Sequence, residues 1–236
     1  MAKEFSTSPD EQSPCFRPWL NDPSIWKKIV TDTNAVAQEA GLGALCKFVE
    51  FGGSNAGIKY TSPLREINHR TRGIAIPSIV EKCLSSARAG TKQKAIDAIL
   101  LYVEVDNPDP VLEDLTPGLS AKLPKLVAAT TTAMKEIYRQ FGTRTVNPKP
   151  ALKQLPKLFA HSDKTVRTEA TAFAVVLYSW LGDAIKPSLA ELKPLQLKEL
   201  DEAFSSVEGG KATQERFLRS QKAVQASAAV EGSPLP

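Results

Sequence analysis

The chain has few side chains suited to covalent, metal or acid–base chemistry, and those few are scattered. His69 and His161 are the two histidines, and Cys15, Cys46 and Cys83 the three cysteines. A metal site needs such ligands in pairs a few residues apart or one helical turn apart, and none of the five is so placed. His161 precedes Asp163 by two positions, which reads as a turn followed by a helix cap. No glycine-rich phosphate loop follows a strand-like run, and no G-x-S-x-G occurs. The sequence therefore predicts no enzyme and no cofactor. An odd cysteine number, with Cys46 and Cys83 among apolar helical residues, fits buried thiols in a reducing compartment.

The remaining candidates for function are polar residues that recur at turns: Thr31-Asp32-Thr33-Asn34, Gly90-Thr91-Lys92-Gln93-Lys94, Lys122-Leu123-Pro124-Lys125, and Ser162-Asp163-Lys164-Thr165-Val166-Arg167. Three of the four place Lys or Arg at the turn or in the first turn of the next helix. There the helix dipole disfavours a cation by a few tenths of a kcal/mol, so local helix stability does not explain the choice. A binding role does. Asp32, Thr33 and Asp163 also fit as helix caps.

The elements that must position these turns are helices. Thr31 to Val49, Thr91 to Val105, Leu123 to Phe141 and Asp163 to Leu181 each carry small or aliphatic residues at helical spacing, such as Val36, Ala40 and Ala44 or Val166, Ala170 and Ala174. Each follows an apolar helical stretch that begins near a proline: Pro18, Pro77, Pro110 or Pro150. Lys92, Lys125 and Lys164 are 33 and 39 positions apart, close to the period of helical-hairpin repeats. A lone hairpin cannot bury its apolar face, so hairpins stack, and their turns align along one edge at intervals of about 10 Å. The fold class expected is all-α, an α-solenoid of stacked hairpins.

Asn34 and Lys92 are 58 positions apart, and the excess falls in 52–73, rich in Gly, Ser, Asn and Arg and predicted as a loop inserted between two hairpins. A last helical pattern spans Ile185 to Val207 and stops at Gly209-Gly210, and Gln214 to Ala229 could add one more helix. The expected organisation is 1–13 as the remnant of a first repeat and a linker, 14–208 as the repeat domain, and 209–236 as a helix and tail. With 30 Lys and Arg against 26 Asp and Glu, the net charge of +4 is too small for a nucleic-acid stripe. No segment approaches the ~20 apolar residues that span a bilayer, so neither nucleic acid nor membrane is an expected partner.

Several stretches resemble the amino-terminal TOG domain of the ch-TOG family of microtubule polymerases, fungal members most closely. They are Val30-Thr31-Asp32-Thr33-Asn34-Ala35-Val36-Ala37-Gln38, Pro77-Ser78-Ile79-Val80-Glu81-Lys82, Leu123-Pro124-Lys125-Leu126-Val127-Ala128, Leu155-Pro156-Lys157-Leu158-Phe159, Trp180-Leu181-Gly182-Asp183-Ala184, Gln196-Leu197-Lys198-Glu199-Leu200 and Arg216-Phe217-Leu218-Arg219-Ser220-Gln221. The resemblance implies a flat paddle of six HEAT repeats whose turns bind the curved αβ-tubulin heterodimer. It implies tubulin contacts from Thr31, Asp32, Thr33 and Asn34 in the second repeat, Lys92 in the third, Lys122 and Lys125 in the fourth, and Lys164 with Arg167 in the fifth. Arg167 is expected to hold a carboxylate through two parallel hydrogen bonds.

By the same resemblance, a longer protein would act at microtubule plus ends, and the setting would be the cytoplasm and cytoskeleton, at microtubules, spindle and spindle pole. The resemblance starts at Ala2-Lys3-Glu4-Phe5, inside the first repeat, after the turn where the family carries a solvent-facing Trp. None of Trp19, Trp26 or Trp180 is placed to substitute. The sequence thus predicts weaker tubulin binding, by about 2 kcal/mol or more for a lost aromatic hot spot. The alternatives are a general HEAT-repeat scaffold and a fragment with weak or no tubulin binding.

Overall fold

The computed structural model describes residues 2–7, 13–52, 63–105 and 107–222, the side chains of Leu20 and 63–70 excepted. Every described regular element is a helix. Eleven are α-helices: α1 (Ala2–Thr7), α2 (Arg17–Asn21), α3 (Ser24–Val30), α4 (Ala35–Gly52), α5 (Pro63–Lys82), α6 (Ala89–Val105), α7 (Pro108–Leu115), α8 (Pro124–Phe141), α9 (Lys149–Phe159), α10 (Lys164–Leu181) and α11 (Pro194–Phe204). Short 3-10 helices cover Pro14–Phe16, Thr116–Ser120 and Gly182–Leu189.

They pair as hairpins: α3 with α4, α5 with α6, α7 and its 3-10 extension with α8, and α9 with α10, followed by Gly182–Leu189 and α11, which both pack on α10. The second helices stack side by side, α4 on α6, α6 on α8, α8 on α10 and α10 on α11. The first helices form the other layer, with α3 on α5 and α5 on α7. The result is the α-solenoid of stacked hairpins that the spacing predicts, in keeping with the HEAT-repeat paddle that the resemblance implies.

One continuous apolar core runs through the stack, from Trp26, Leu45 and Phe48 through Ile79, Ile99 and Tyr102 to Met134, Ile137, Phe173 and Leu177, all at most 1% exposed. At the front, Phe5 of α1 stacks on Phe16 with centroids 5.1 Å apart and meets Phe48 edge-on at 5.6 Å. Trp19 and Trp26 complete this cluster. Two buried polar groups are tied to one backbone oxygen: Gln38 Nε2 donates to the Val30 carbonyl at 3.0 Å, and the Cys83 thiol donates to the same oxygen. Burial pushes the Cys46 and Cys83 thiols up to about 12, so both stay protonated and unreactive. Gly41 lets α3 and α4 touch, since a Cβ there would lie 2.3 Å from the Ile29 side chain.

Three sequence expectations are corrected. The stretch 52–73, expected as an inserted loop, is helical from Pro63 onward, while 53–62 lie outside the described residues. Its polar composition suggested a loop, yet α5 packs on both α3 and α7, and Arg72 Nε donates to Asp114 Oδ2 at 2.9 Å. Packing overrides weak propensity here. Pro77 therefore lies inside a helix instead of starting one. Second, Ile185 to Val207 is not one helix: it is two helical segments, broken at 190–193. Third, 211–218 run without helix, and only 219–222 of the expected Gln214–Ala229 helix are helical among the described residues.

Residues 205–222 form a strap across the stack. Gly210 and Ala212 N–H groups donate to Tyr178 and Ser179 carbonyls at the end of α10, and Glu215 and Arg216 N–H groups donate to the Gln140 carbonyl at the end of α8. Arg216 Nε donates to Glu104 Oε2 at 2.6 Å and Lys222 Nζ to Glu104 Oε1 at 2.9 Å at the end of α6, and Arg219 reaches the Glu50 carbonyl near the end of α4. The last carbonyls of a helix have no intrahelical donor, and the strap supplies donors to carbonyls of α10, α8 and α4 and to the Glu104 carboxylate of α6.

Candidate functional site

The second helices begin on one edge of the stack and end under the strap. An 18-residue helix spans about 27 Å, so the two edges are held that far apart. The edge of beginnings carries the turns 31–34, 85–88, 121–123, 160–163 and 190–193.

Local chemistry fixes each turn. Asn34 caps α4, its Oδ1 accepting from Val36 and Ala37 N–H at 2.9 and 3.1 Å, and Asp32 Oδ1 accepts from Asn34 N–H at 2.7 Å. Thr31 Oγ1 donates to the Lys27 carbonyl and closes α3. Thr33 is exposed on the same turn. Asp163 caps α10 through Thr165 and Val166 N–H, bonds that hold its carboxyl below the usual carboxylate range. So Asp32, Asn34 and Asp163 are caps, and their remaining exposed atoms face solvent.

The lysines behave differently. Lys92, Lys122, Lys125 and Lys164 are exposed, and their side chains make no ion pair or hydrogen bond within the described structure. They stand at three successive helix beginnings on one edge: Lys92 in the first turn of α6, since Gly90–Lys94, expected as a turn, are helical, Lys122 just before α8, and Lys125 and Lys164 in the first turns of α8 and α10. Arg167 departs from expectation: its Nη1 donates to the His161 and Ser162 carbonyls at 2.8 and 2.6 Å, so the guanidinium braces its own turn. A two-bond grip on an outside carboxylate would have to compete with that brace.

The sequence reading missed the apolar members of this edge. Val36, Leu123 and Leu195 are 66%, 66% and 68% exposed, the three large hydrophobic side chains most open to solvent among the described residues. All three stand where a second helix begins. Val36 and Ala40 were expected to face the core, yet both are exposed, whereas Ala44 is buried as expected. The cause is helix phase, since Leu42, Leu45 and Val49 form the buried stripe of α4. For the sixth turn a signal was present: Lys193-Pro194 repeats the Leu123-Pro124 arrangement, with proline opening a helix one residue after the turn.

Two shallow grooves separate neighbouring turns. One, about 260 Å³, lies beside Val36, where Arg88 pairs with Glu39 at 3.2 Å. The other, about 620 Å³, lies between the fifth and sixth turns beside Lys164, Arg167, Lys193 and Leu195. Neither collects a metal-binding set, and no group of three or more His, Cys, Asp or Glu that could hold a metal occurs among the described residues. No described helix is long and apolar enough to cross a membrane.

Known proteins share this architecture. The family model for the XMAP215/Dis1/CLASP TOG domain matches residues 1–204. The fission yeast (Schizosaccharomyces pombe) spindle pole body component alp14 is 38% identical over 222 residues, covering 94% of this chain and 26% of that protein. The Drosophila melanogaster protein mini spindles is 37% identical over 228 residues, covering 97% of this chain and 10% of that protein. The chain thus spans about a quarter or less of these relatives' lengths. A solved structure from work on tubulin recruitment and assembly by microtubule polymerases with TOG domain arrays superposes with a TM-score of 0.82 at 30% identity, covering 95% of this chain and 46% of that one. The third TOG domain of Drosophila mini spindles superposes at 0.71 with 18% identity over 91% of this chain and 88% of that one, a likeness of fold. Stacked hairpins, a family model over 1–204 and relatives above 30% identity agree that this chain belongs to the XMAP215/Dis1/CLASP family of TOG domains.

Proposed function

We propose that the edge of turns binds the αβ-tubulin heterodimer, and that within a longer protein this binding contributes to microtubule plus-end polymerisation and spindle organisation. The observation that carries the reading is the row of unpaired lysines, Lys92, Lys122, Lys125 and Lys164, at consecutive helix beginnings that also expose Leu123. Exposed cations with an apolar side chain between them suit an acidic protein surface: charge steers the encounter, and apolar contact slows dissociation. The solved relative described for tubulin recruitment supports tubulin as that partner. The names of alp14 and mini spindles support the cytoplasm and cytoskeleton, at microtubules, spindle and spindle pole, as the setting.

Thr31, Asp32, Thr33 and Asn34 contribute the second repeat's contact through atoms left over from capping, and Lys164 leads the fifth. Arg167 contributes by holding the turn that presents Lys164. The domain acts by binding, with no chemistry of its own and no cofactor. Residues 14–208 form the binding domain, and 209–222 hold it together from behind.

The test is gel filtration of the purified chain with αβ-tubulin at low and at physiological salt. Co-elution that weakens as salt rises is expected, because the contacts are exposed charges within reach of screening. Unchanged elution of both partners at low salt would sink the assignment.

A further inference from the structure

The groove between the fifth and sixth turns has features that the lysine row does not explain. Leu195, 68% exposed at the second position of α11, stands at its mouth, and an isolated apolar side chain so open to water gains most from being covered. Lys164 and Lys193 sit on opposite walls, and neither makes a side-chain ion pair in the described structure. With Arg167 they place three cations on a lining whose one acid is Glu199.

The groove is also braced. Gln196 Nε2 donates to the Phe159 carbonyl at 2.9 Å across its floor and accepts from Lys193 N–H through Oε1 at 3.3 Å. Arg167 holds the His161–Ser162 backbone on the other wall. Both walls are therefore fixed before anything binds, and occupancy requires little reordering.

We propose that this groove extends the partner-binding edge to the sixth turn, with Leu195 and Lys193 receiving an acidic surface segment of the bound tubulin that carries an apolar side chain beside its carboxylates. Charge complementarity selects the occupant: a neutral or basic segment would leave Lys164, Lys193 and Arg167 facing no anion, whereas an acidic one answers all three. Leu195 then supplies the apolar contact and Lys193 fixes the direction in which the segment lies. The proposal rests on the edge binding tubulin.

The experiment measures αβ-tubulin affinity of the full chain by titration at one low salt concentration, for wild type, Leu195→Ser, Lys193→Glu, the double variant and Lys92→Glu. Each sixth-turn single variant is expected to weaken binding about fivefold to tenfold and the double more than about thirtyfold, in line with truncation of an interface anchor. Leu195→Met and Lys193→Arg should bind like wild type. Melting temperatures should not move, since both residues are exposed.

If Lys92→Glu weakens binding while the sixth-turn double variant binds like wild type, the groove lies outside the interface and the inference is overturned, with the edge reading intact. If wild type does not bind tubulin, the edge reading fails and takes the inference with it. A wild-type dimer on gel filtration that Leu195→Ser converts to monomer, with tubulin affinity unchanged, would mean that a second copy of this chain fills the groove, which also overturns it.

Discussion

The two long edges of the paddle use the same residue types to opposite ends. On the strap edge, Arg216 and Lys222 converge on Glu104, Arg139 on Glu215, and Arg219 on a helix-terminal carbonyl. On the turn edge, Lys92, Lys122, Lys125 and Lys164 point at solvent without partners in the described structure. Charges that meet inside the molecule stabilise the fold, and charges that meet nothing inside it are available to another molecule. Under the proposed reading, the end of the second helix on which such a cation stands separates a structural role from a binding one.

The largest expected effect tests the open edge. Lys92→Glu, Lys125→Glu and Lys164→Glu together should lower tubulin affinity by at least about a hundredfold, on the order of 1 kcal/mol or more per reversed charge. Gel filtration checks this. The melting temperature should move by no more than about 2 °C, because substitutions at such exposed positions are usually near neutral for stability. A fold that collapses would erase the contrast between the edges.

Next comes the closed edge. Glu104→Gln should cost about 2–4 kcal/mol, since it leaves the clustered guanidinium and ammonium groups without their anion, and lower the melting temperature by about 5–10 °C, read by circular dichroism. Tubulin affinity well below the melting temperature should be unchanged.

The same carboxylate predicts a pH dependence. Burial would raise its pKa, but the hydrogen bonds from Lys222 and Arg216 outweigh burial and hold it below the usual range. A depressed folded-state pKa gives stability that is full above the ordinary glutamate value near ~4.3 and is lost as pH falls through the folded value. Denaturant titrations of wild type and Glu104→Gln should therefore converge as the pH falls below the depressed folded-state value.

Smaller effects sharpen the boundary between the edges. Arg167→Ala should behave partly like a strap variant, losing about 1–2 kcal/mol of stability as its turn loosens, with weaker tubulin binding because Lys164 is presented less rigidly. Arg167→Lys should recover part of both losses, since the two bonds come from the single nitrogen Nη1 and an ammonium also carries several donors. Asn34→Ala should remove a cap worth about 1 kcal/mol, measurable by urea titration, and Asn34→Asp should preserve it.

The second helices were legible in the sequence, α6, α8 and α10 to within two residues and α4 to within four, because their apolar periods are long and their turn signals strong. The first helices were harder. α5 carries Pro77 inside it and a polar amino-terminal half, and its helicity comes from contact with α3 and α7, which a local pattern does not record. The last two helical segments were merged into a single helix because Leu189, Leu192, Leu197 and Leu200 keep helical spacing across a turn that the chain makes at 190–193. Of the candidate site, the charged members were visible as recurring types. The exposed Val36, Leu123 and Leu195 were not, because an apolar residue in a helical pattern reads as core until the phase of the buried stripe is known. The strap was invisible for another reason: its irregular backbone bonds to α10 and α8, and its Arg and Lys side chains to α6 and α4, all distant in sequence.

That strap changes the mechanics of the solenoid. In a plain repeat stack each unit is coupled only to its neighbours, so the array can flex like a spring and melt from its ends. A tie running past the far ends of α10, α8, α6 and α4 couples units that do not touch and resists fanning of the layers. The opposite edge is thereby given a fixed graduation, and under the proposed reading a partner surface would meet turns whose spacing is already set.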